Sequence, residues 1–456
     1  MRRLRIPDLA RNPISWAGGT VAITAAALFF VLFALEVLGY LANPYIGLLL
    51  FVAVPTAFVL GLLLIPIGLR RARRRRQAHP GEAEWPILDL GNPRHRRITA
   101  IVFALTLVNA LIVSLAAYGG VHYMESTEFC GEVCHTPMEP QYVAYKDAPH
   151  SRVACVSCHV GSGAGNFVRA KANGTRQLWQ VVTGGYARPI PAPVHNMRPA
   201  RETCEQCHWP EKLHGDRPRT IREYADDEAN SETTTTFQVH VGGGSEKLGI
   251  ATGIHWHMNI ANQIEYIATD TARQTIPFVR LTARDGRVTE YTVAGTTEDQ
   301  LRGGELRRMD CIDCHNQPAH RFEGTPQRAV DDAIAAGLLP RVLPFARREA
   351  VAAVSAAYPD SQAAMSGIAT RLQEFYRANA AGADQKLVEQ AIHAAQGVYS
   401  RNVFPRMAVK WGTYPNNLGH VDSPGCFRCH DDEHKSKEGR VIRQDCELCH
   451  TAPEVK

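Results

Sequence analysis

The chain holds twelve cysteines in 456 residues, and every one belongs to a pair followed at once by histidine. Five pairs have the form C-x-x-C-H: Cys155–Cys158–His159, Cys204–Cys207–His208, Cys311–Cys314–His315, Cys426–Cys429–His430 and Cys446–Cys449–His450. The sixth, Cys130–Cys134–His135, is one residue longer. Histidine accounts for only 19 residues, so six of six by chance would be on the order of 10⁻⁸. C-x-x-C-H is the attachment signature of c-type haem: two thioethers hold the porphyrin and the adjacent histidine ligates its iron. Zinc ribbons share the cysteine spacing but give no reason for a histidine after each second cysteine. Disulfide frameworks give none either, and iron–sulfur clusters want cysteine where this chain has histidine. The sequence therefore predicts six covalently attached haems, at least five of them at regular motifs. Little protein surrounds each motif, so short helices and loops packed on porphyrin are expected there.

The first hundred residues have a different character. Apolar runs cover Trp16 to Leu41, Tyr45 to Leu69 and Ile98 to Tyr118. A helix needs about 20 apolar residues to cross a bilayer core, and each run meets or nearly meets that. The first run is longer than the apolar stretch of a signal peptide and a second follows at once, so a retained helix is expected. Glu36 stands inside it, near the outer end, where the wet interface accommodates an acid. Arginines precede the first run (Arg2, Arg3, Arg5, Arg11), follow the second (Arg70, Arg71, Arg73 to Arg76) and precede the third (Arg94, Arg96, Arg97). The link around Asn43-Pro44 carries no charge. The positive-inside rule then puts the N-terminus and the 70–97 loop in the cytoplasm and everything after about Val121 outside. Residues 1–97 have 13 basic and 5 acidic side chains, whereas the remainder is net −3. The overall +5 is thus a topology signal, and no nucleic-acid partner is implied.

The expected organisation is 1–97, two transmembrane helices and a basic loop; 98–124, a third transmembrane helix; and 125–215, a haem domain with three motifs. A β-rich insert over 216–305 and a C-terminal haem domain over 306–456, with a helical insert, complete it. Within 216–305 the segments Gln238–Val241, Ile264–Thr269, Ile276–Thr282 and Val288–Val293 read as strands, the last two joined by an Asp285-Gly286 turn. Helices are expected near Gln327–Ala336, Ala346–Ala357, Ala363–Ala380 and Ala383–Gly397, broken by Pro340, Pro344 and Pro359. The fold class is therefore N-terminal transmembrane α-helices joined to a multihaem cytochrome c.

Six low-spin irons need six distal ligands, and histidine is the usual one. Position along the chain favours His150, between the first two motifs; His195, before the third; His320, five residues after His315; His420, before Cys426; and His434, between the last two. A sixth ligand comes from His255-Trp256-His257-Met258. If that segment is extended, its two histidines share a face and one suffices; His257 is the choice. Met138, three residues after His135, competes for the first iron.

The order of a membrane helix, Phe129-Cys130, Cys134-His135-Thr136-Pro137-Met138, an aromatic stretch, His150 and Cys155-Val156-Ser157-Cys158-His159 resembles the NapC/NirT family of membrane-anchored multihaem quinol dehydrogenases. The resemblance covers residues 98–210. It implies oxidation of menaquinol or ubiquinol at the outer face of a bacterial cytoplasmic membrane. It further implies relay from the haem nearest the bilayer to periplasmic c-type cytochromes or reductases. By the same resemblance a basic residue near the quinol falls on Lys171, or less well Arg169, and the acid position on Gln177. Three helices, six motifs and long inserts make this chain larger than typical members, like the inner-membrane multihaem cytochromes of metal-reducing bacteria. Two other functions compete. An anchor subunit of a larger respiratory complex would use the extra helices for contacts. A nitrite-type reductase would resemble enzymes that replace one motif histidine by lysine, which this chain does not do.

Overall fold

The computed structural model describes residues 12–37, 49–77, 91–161, 163–194, 199–209, 213, 215–242, 253–258 and 262–456. They form two compact units, Met1–Val133 and Cys134–Lys456.

The first unit is built on three long helices: α1 (Pro13–Val37), α2 (Val54–Gln77) and α3 (Pro93–Met124). Proline sets the first turn of α1 and α3, and the preceding Asn92 carboxamide accepts from Arg94 N at 2.9 Å. Among the described residues three segments are long and apolar enough to cross a membrane: Pro13–Leu35, Leu49–Arg74 and Leu107–Met124. Lipid offers apolar helices no hydrophobic reason to associate, so close approach of small residues does that work. A Cβ added to Gly18 would stand 2.6 Å from the Gly61 carbonyl, and one on Gly61 would stand 2.7 Å from Ala22 N. Ser15 Oγ donates across the same contact to the Ile65 carbonyl at 3.0 Å. Beyond it, Ala22, Ala25 and Phe29 pack with Val54 and Phe58, and with Ile112 and Ala116 of α3. Phe51, in the π-turn Leu49–Ala53 that precedes α2, fills the space left by Gly119. The side chain of Glu36 lies outside the described residues.

The second unit begins with α4 (His135–Lys146) and α5 (Ala164–Thr183). A ribbon follows, β1 (Asp216–Tyr224) antiparallel to β2 (Glu232–His240), with the C-terminal β7 (Glu454–Val455) added to β2. A second sheet has the order β5-β4-β3-β6, from Gln263–Ile267 (β3), Phe278–Thr282 (β4), Val288–Thr292 (β5) and Leu306–Arg308 (β6). Gly286, at φ +80°, makes the β4–β5 turn where the sequence placed it. The strand β1 was not expected. Its DRPRTIREY run is almost wholly exposed and shows no apolar alternation, so pairing to β2 alone defines it.

Four helices form the helical insert: α6 (Pro326–Ala335), α7 (Ala346–Ser355), α8 (Ser361–Asn379) and α9 (Gln385–Asn402). Thr325, Asp360 and Asp384 cap three of them through side-chain oxygens. Small and branched residues interleave in the core, among them Ala350, Ala353, Val354, Ile368, Leu372, Ala391 and Ala395. Arg347 pairs with the buried Asp331 carboxylate through Nε and Nη2, at 2.7 and 3.2 Å. Buried Asn230, in the β1–β2 loop, donates to the Arg341 and Leu343 carbonyls and ties the ribbon to this bundle.

Candidate haem sites

Each regular motif sits on a short helical turn: Cys155–His159, Ala200–Cys204, Cys311–Cys314, Gly425–Arg428 and Cys446–Leu448. In Cys155–His159 and Cys311–Cys314 both cysteines lie on the turn, and a spacing of three residues brings them to one side; in the other three the turn holds the first cysteine and the second follows its end. The turn at Cys311 is fixed by a reciprocal cap. Asp310 accepts from Cys311 N at 2.7 Å, and Asp313 accepts from Asp310 N at 2.7 Å. Among the described residues, which include all twelve cysteines, no disulfide forms. Nor, among them, do three or more histidine, cysteine or carboxylate side chains converge as a metal-ion cluster. Burial pushes the Cys314 thiol up to about 11 and the Cys429 thiol up to about 12.

In the longer motif, the π-turn Phe129–Val133 ends the first unit, and its wider turn matches the extra residue. His135 opens α4 in the second unit. Met138 is one turn further on the same face. The two therefore compete for one side of an iron and cannot flank it from this helix.

The regular motifs show the decisive geometry. Every one of their histidines faces a second histidine from elsewhere in the chain. The ring centroids lie 6.2 Å apart for His159 and His320, and 5.9 Å for His208 and His150. They lie 6.2 Å apart for His315 and His255, 5.8 Å for His430 and His257, and 6.2 Å for His450 and His420. Two imidazoles on opposite faces of one iron have centres about 6 Å apart, since each nitrogen stands about 2 Å from the metal and each ring centre about 1 Å beyond. The residues thus fit a haem at each regular motif, the porphyrin supplying the remaining four iron ligands.

Hydrogen bonds orient the rings. Nδ1 of His150 meets the Pro318 carbonyl at 2.9 Å, and Nδ1 of His320 meets that of Gln141 at 2.9 Å. His255 meets Val241 at 2.9 Å and His257 meets Ile254 at 2.8 Å in the same way. Nδ1 of His430 meets the Arg443 carbonyl at 2.9 Å, and that of His450 its neighbour Thr451 at 2.7 Å. A carbonyl only accepts, so each Nδ1 carries the hydrogen and Nε2 presents a lone pair. That is how metal-binding imidazoles are usually held.

Other expectations come out differently. His434 is not set against a motif histidine. It is fully buried, its Nδ1 donates to both Asp431 carboxylate oxygens at 2.9 and 3.0 Å, and its Nε2 donates to the Ile276 carbonyl at 2.8 Å. With both nitrogens engaged it has none for iron. His195 lies outside the described residues. His255, passed over for His257, stands against His315 because Ile254–Met258 is a 3₁₀ turn and not a strand. Residues two apart on such a turn diverge by about 120° and reach different partners. Lys171 and Arg169 lie on α5, two residues and so about 160° apart around the axis. Lys171 falls on the stripe of Thr175, Leu178 and Val182, and the last two are exposed. Arg169 falls on the polar side.

Successive regular motifs neighbour one another. Cys158 lies within electrostatic reach of Cys204, Cys314 of Cys426, and Cys449 of Cys426. Cys204 and Cys311 are hydrogen-bonded, which lowers the Cys204 thiol and raises that of Cys311. Arg201 N also donates to the Asp310 carboxylate at 3.1 Å, joining the third motif to the fourth.

Five regular attachment motifs that neighbour one another in sequence order, each backed by a second imidazole, belong to a multihaem c-type cytochrome, here one anchored to a membrane by its apolar helices. The model of the NapC/NirT cytochrome c family, N-terminal region, matches residues 92–189. The chain is 42% identical over 446 residues to the cytochrome c-type protein ImcH of Geobacter sulfurreducens, covering 96% of this chain and 87% of that one. No solved structure matches it. The chain belongs to the NapC/NirT cytochrome c family, and electron transfer and covalent haem follow from that membership.

Proposed function

We propose that this protein is a hexahaem quinol dehydrogenase. It oxidises menaquinol or ubiquinol at the outer face of a bacterial cytoplasmic membrane and delivers the electrons to periplasmic c-type cytochromes or reductases. The observation that carries the reading is the row of paired histidines, one pair at each regular motif, with neighbouring motifs in contact. The distribution of arginine supports three spans with the motif-bearing part in the periplasm. The division into membrane helices (1–97 and 98–124), haem domain (125–215), β-rich insert (216–305) and C-terminal haem domain (306–456) is retained.

Haem, when attached, supplies a one-electron carrier at each motif. The chain's own residues do the rest. Each cysteine pair would hold the group covalently, and the motif histidines would ligate its iron. His320 faces His159, His150 faces His208, His257 faces His430 and His420 faces His450, and each would supply the second imidazole ligand. Their carbonyl-bonded Nδ1 atoms hold the rings in place. For the first motif, His135 or Met138 takes the single place that α4 offers. Lys171, on the apolar stripe of α5, is suited to hold a quinol oxygen where Arg169 is not. The test is haem reduction by menaquinol and ubiquinol analogues in the purified, detergent-solubilised protein. Lys171→Ala is expected to slow it about tenfold or more, the loss of one charge-assisted hydrogen bond. A variant as fast as its parent would overturn the site, and a parent that no quinol reduces would overturn the reading.

A further inference from the structure

We propose that the His255-Trp256-His257 turn ligates two different irons. His255 completes the haem of Cys311–Cys314–His315, and His257 completes that of Cys426–Cys429–His430. The fourth and fifth haems are thereby held as a fixed pair. This rests on the reading of the motifs as haem sites and adds a ligand and a spatial constraint to it.

Four observations converge. His255 faces His315 with centroids 6.2 Å apart and rings 8° from parallel, whereas His257 faces His430 at 5.8 Å with rings at 81°. Both distances suit a pair of axial imidazoles, and the turn's geometry sends the two rings apart. Each Nδ1 is committed to a backbone carbonyl, Val241 for His255 and Ile254 for His257, which leaves Nε2 as the ligand atom. The turn is anchored from behind, because Trp256 packs against the buried Ile264, Tyr266, Ile276 and Val279 cluster, which Cys429 also touches. Finally, the two motifs are braced to each other without the turn. Arg428, between the cysteines of the fifth motif, donates through Nη2 to the carbonyl of Asp313, between the cysteines of the fourth, at 2.6 Å. Its Nη1 donates to the Arg273 carbonyl at 2.9 Å, and Arg273 Nη1 in turn pairs with the buried Asp313 carboxylate at 3.2 Å. Tyr266 donates to the same carboxylate at 2.6 Å.

Chain length then sets the spacing. Residues two apart have Cα atoms within about 7.6 Å. A histidine holds its metal about 6–7 Å from its Cα, so the two irons lie within about 20 Å of each other. No rearrangement that keeps both ligands can separate them further.

The experiment uses full-length protein with haem attached, solubilised in detergent. Intact mass first establishes the haem count, which tests the underlying reading separately. In the oxidised state His255→Ala and His257→Ala are each expected to convert one haem to high spin, and added imidazole is expected to return it to low spin. A purely structural role would not respond to imidazole. His255→Met and His257→Met keep a ligand in place and so protect the fold. Each is expected to gain the far-red sulfur-to-iron charge-transfer band for one haem and to raise one potential, and the double variant two. Wholly low-spin alanine variants, or methionine variants in which either position yields no such band, would overturn the double ligation while leaving the haem count untouched.

Discussion

His434 lies between the last two motifs, as a distal ligand would, yet the structure makes it a brace. Replacing it with alanine separates the two roles. The ring is fully buried, and its loss strands the Ile276 carbonyl in an interior where Ile276 is 5% exposed. A buried carbonyl without a partner costs about 1–3 kcal/mol. Asp431 keeps a quarter of its side-chain exposure, so water recovers most of that interaction. The cavity left by the ring adds about 2 kcal/mol. The sum, about 3–5 kcal/mol, corresponds to a fall of about 4–7 °C in melting temperature for a unit of this size. The assay is far-UV circular dichroism on heating, with the spectrum of the oxidised protein recorded beside it. His434→Ala is expected to melt earlier with every haem still low-spin, whereas His320→Ala leaves one haem high-spin. One high-spin haem in His434→Ala, together with an unchanged melting temperature, would refute the reasoning.

Two further perturbations test other parts of the molecule. Gly61→Val puts a branched side chain where even a Cβ would stand 2.7 Å from the α1 backbone, so α1 and α2 must part; the yield of protein that stays monodisperse in mild detergent should fall several-fold, and an unchanged yield would contradict the close contact. Glu323 is partly buried, and that burial raises its carboxyl above the usual carboxylate range despite the Arg321 guanidinium at 2.6 Å. The folded state therefore favours the protonated form, and this contribution is fully present below about pH 4.5 and lost as pH rises through the elevated folded value. The melting temperature of Glu323→Gln should gain on the parent's from about pH 4.5 towards neutrality, and a difference that does not change with pH would contradict the sign.

What could be read from the chain follows the range of the interactions involved. Attachment is local: two cysteines and a histidine within five residues carry the signal. The helices of the insert were legible for the same reason, since alanine-rich runs broken by Pro340, Pro344 and Pro359 mark them, whereas the Asp360 and Asp384 caps that set two of their starts are seen only in the structure. Distal partners are a tertiary matter. His320 follows the fourth motif in sequence but faces the second, and His150 precedes the second but faces the third. No spacing rule anticipates that exchange. His434 is held by Asp431 and Ile276, and His255 faces His315, because burial and turn type, not position along the chain, decide where these rings sit. Two histidines separated by one residue point the same way in a strand and apart in a 3₁₀ turn.

The central claim is that six porphyrins are joined to these twelve thiols. Intact mass spectrometry of the mature protein, produced with the haem-attachment machinery, tests it most directly. The predicted mass is the polypeptide plus six haems. A colourless product at the mass of the bare polypeptide would contradict the account.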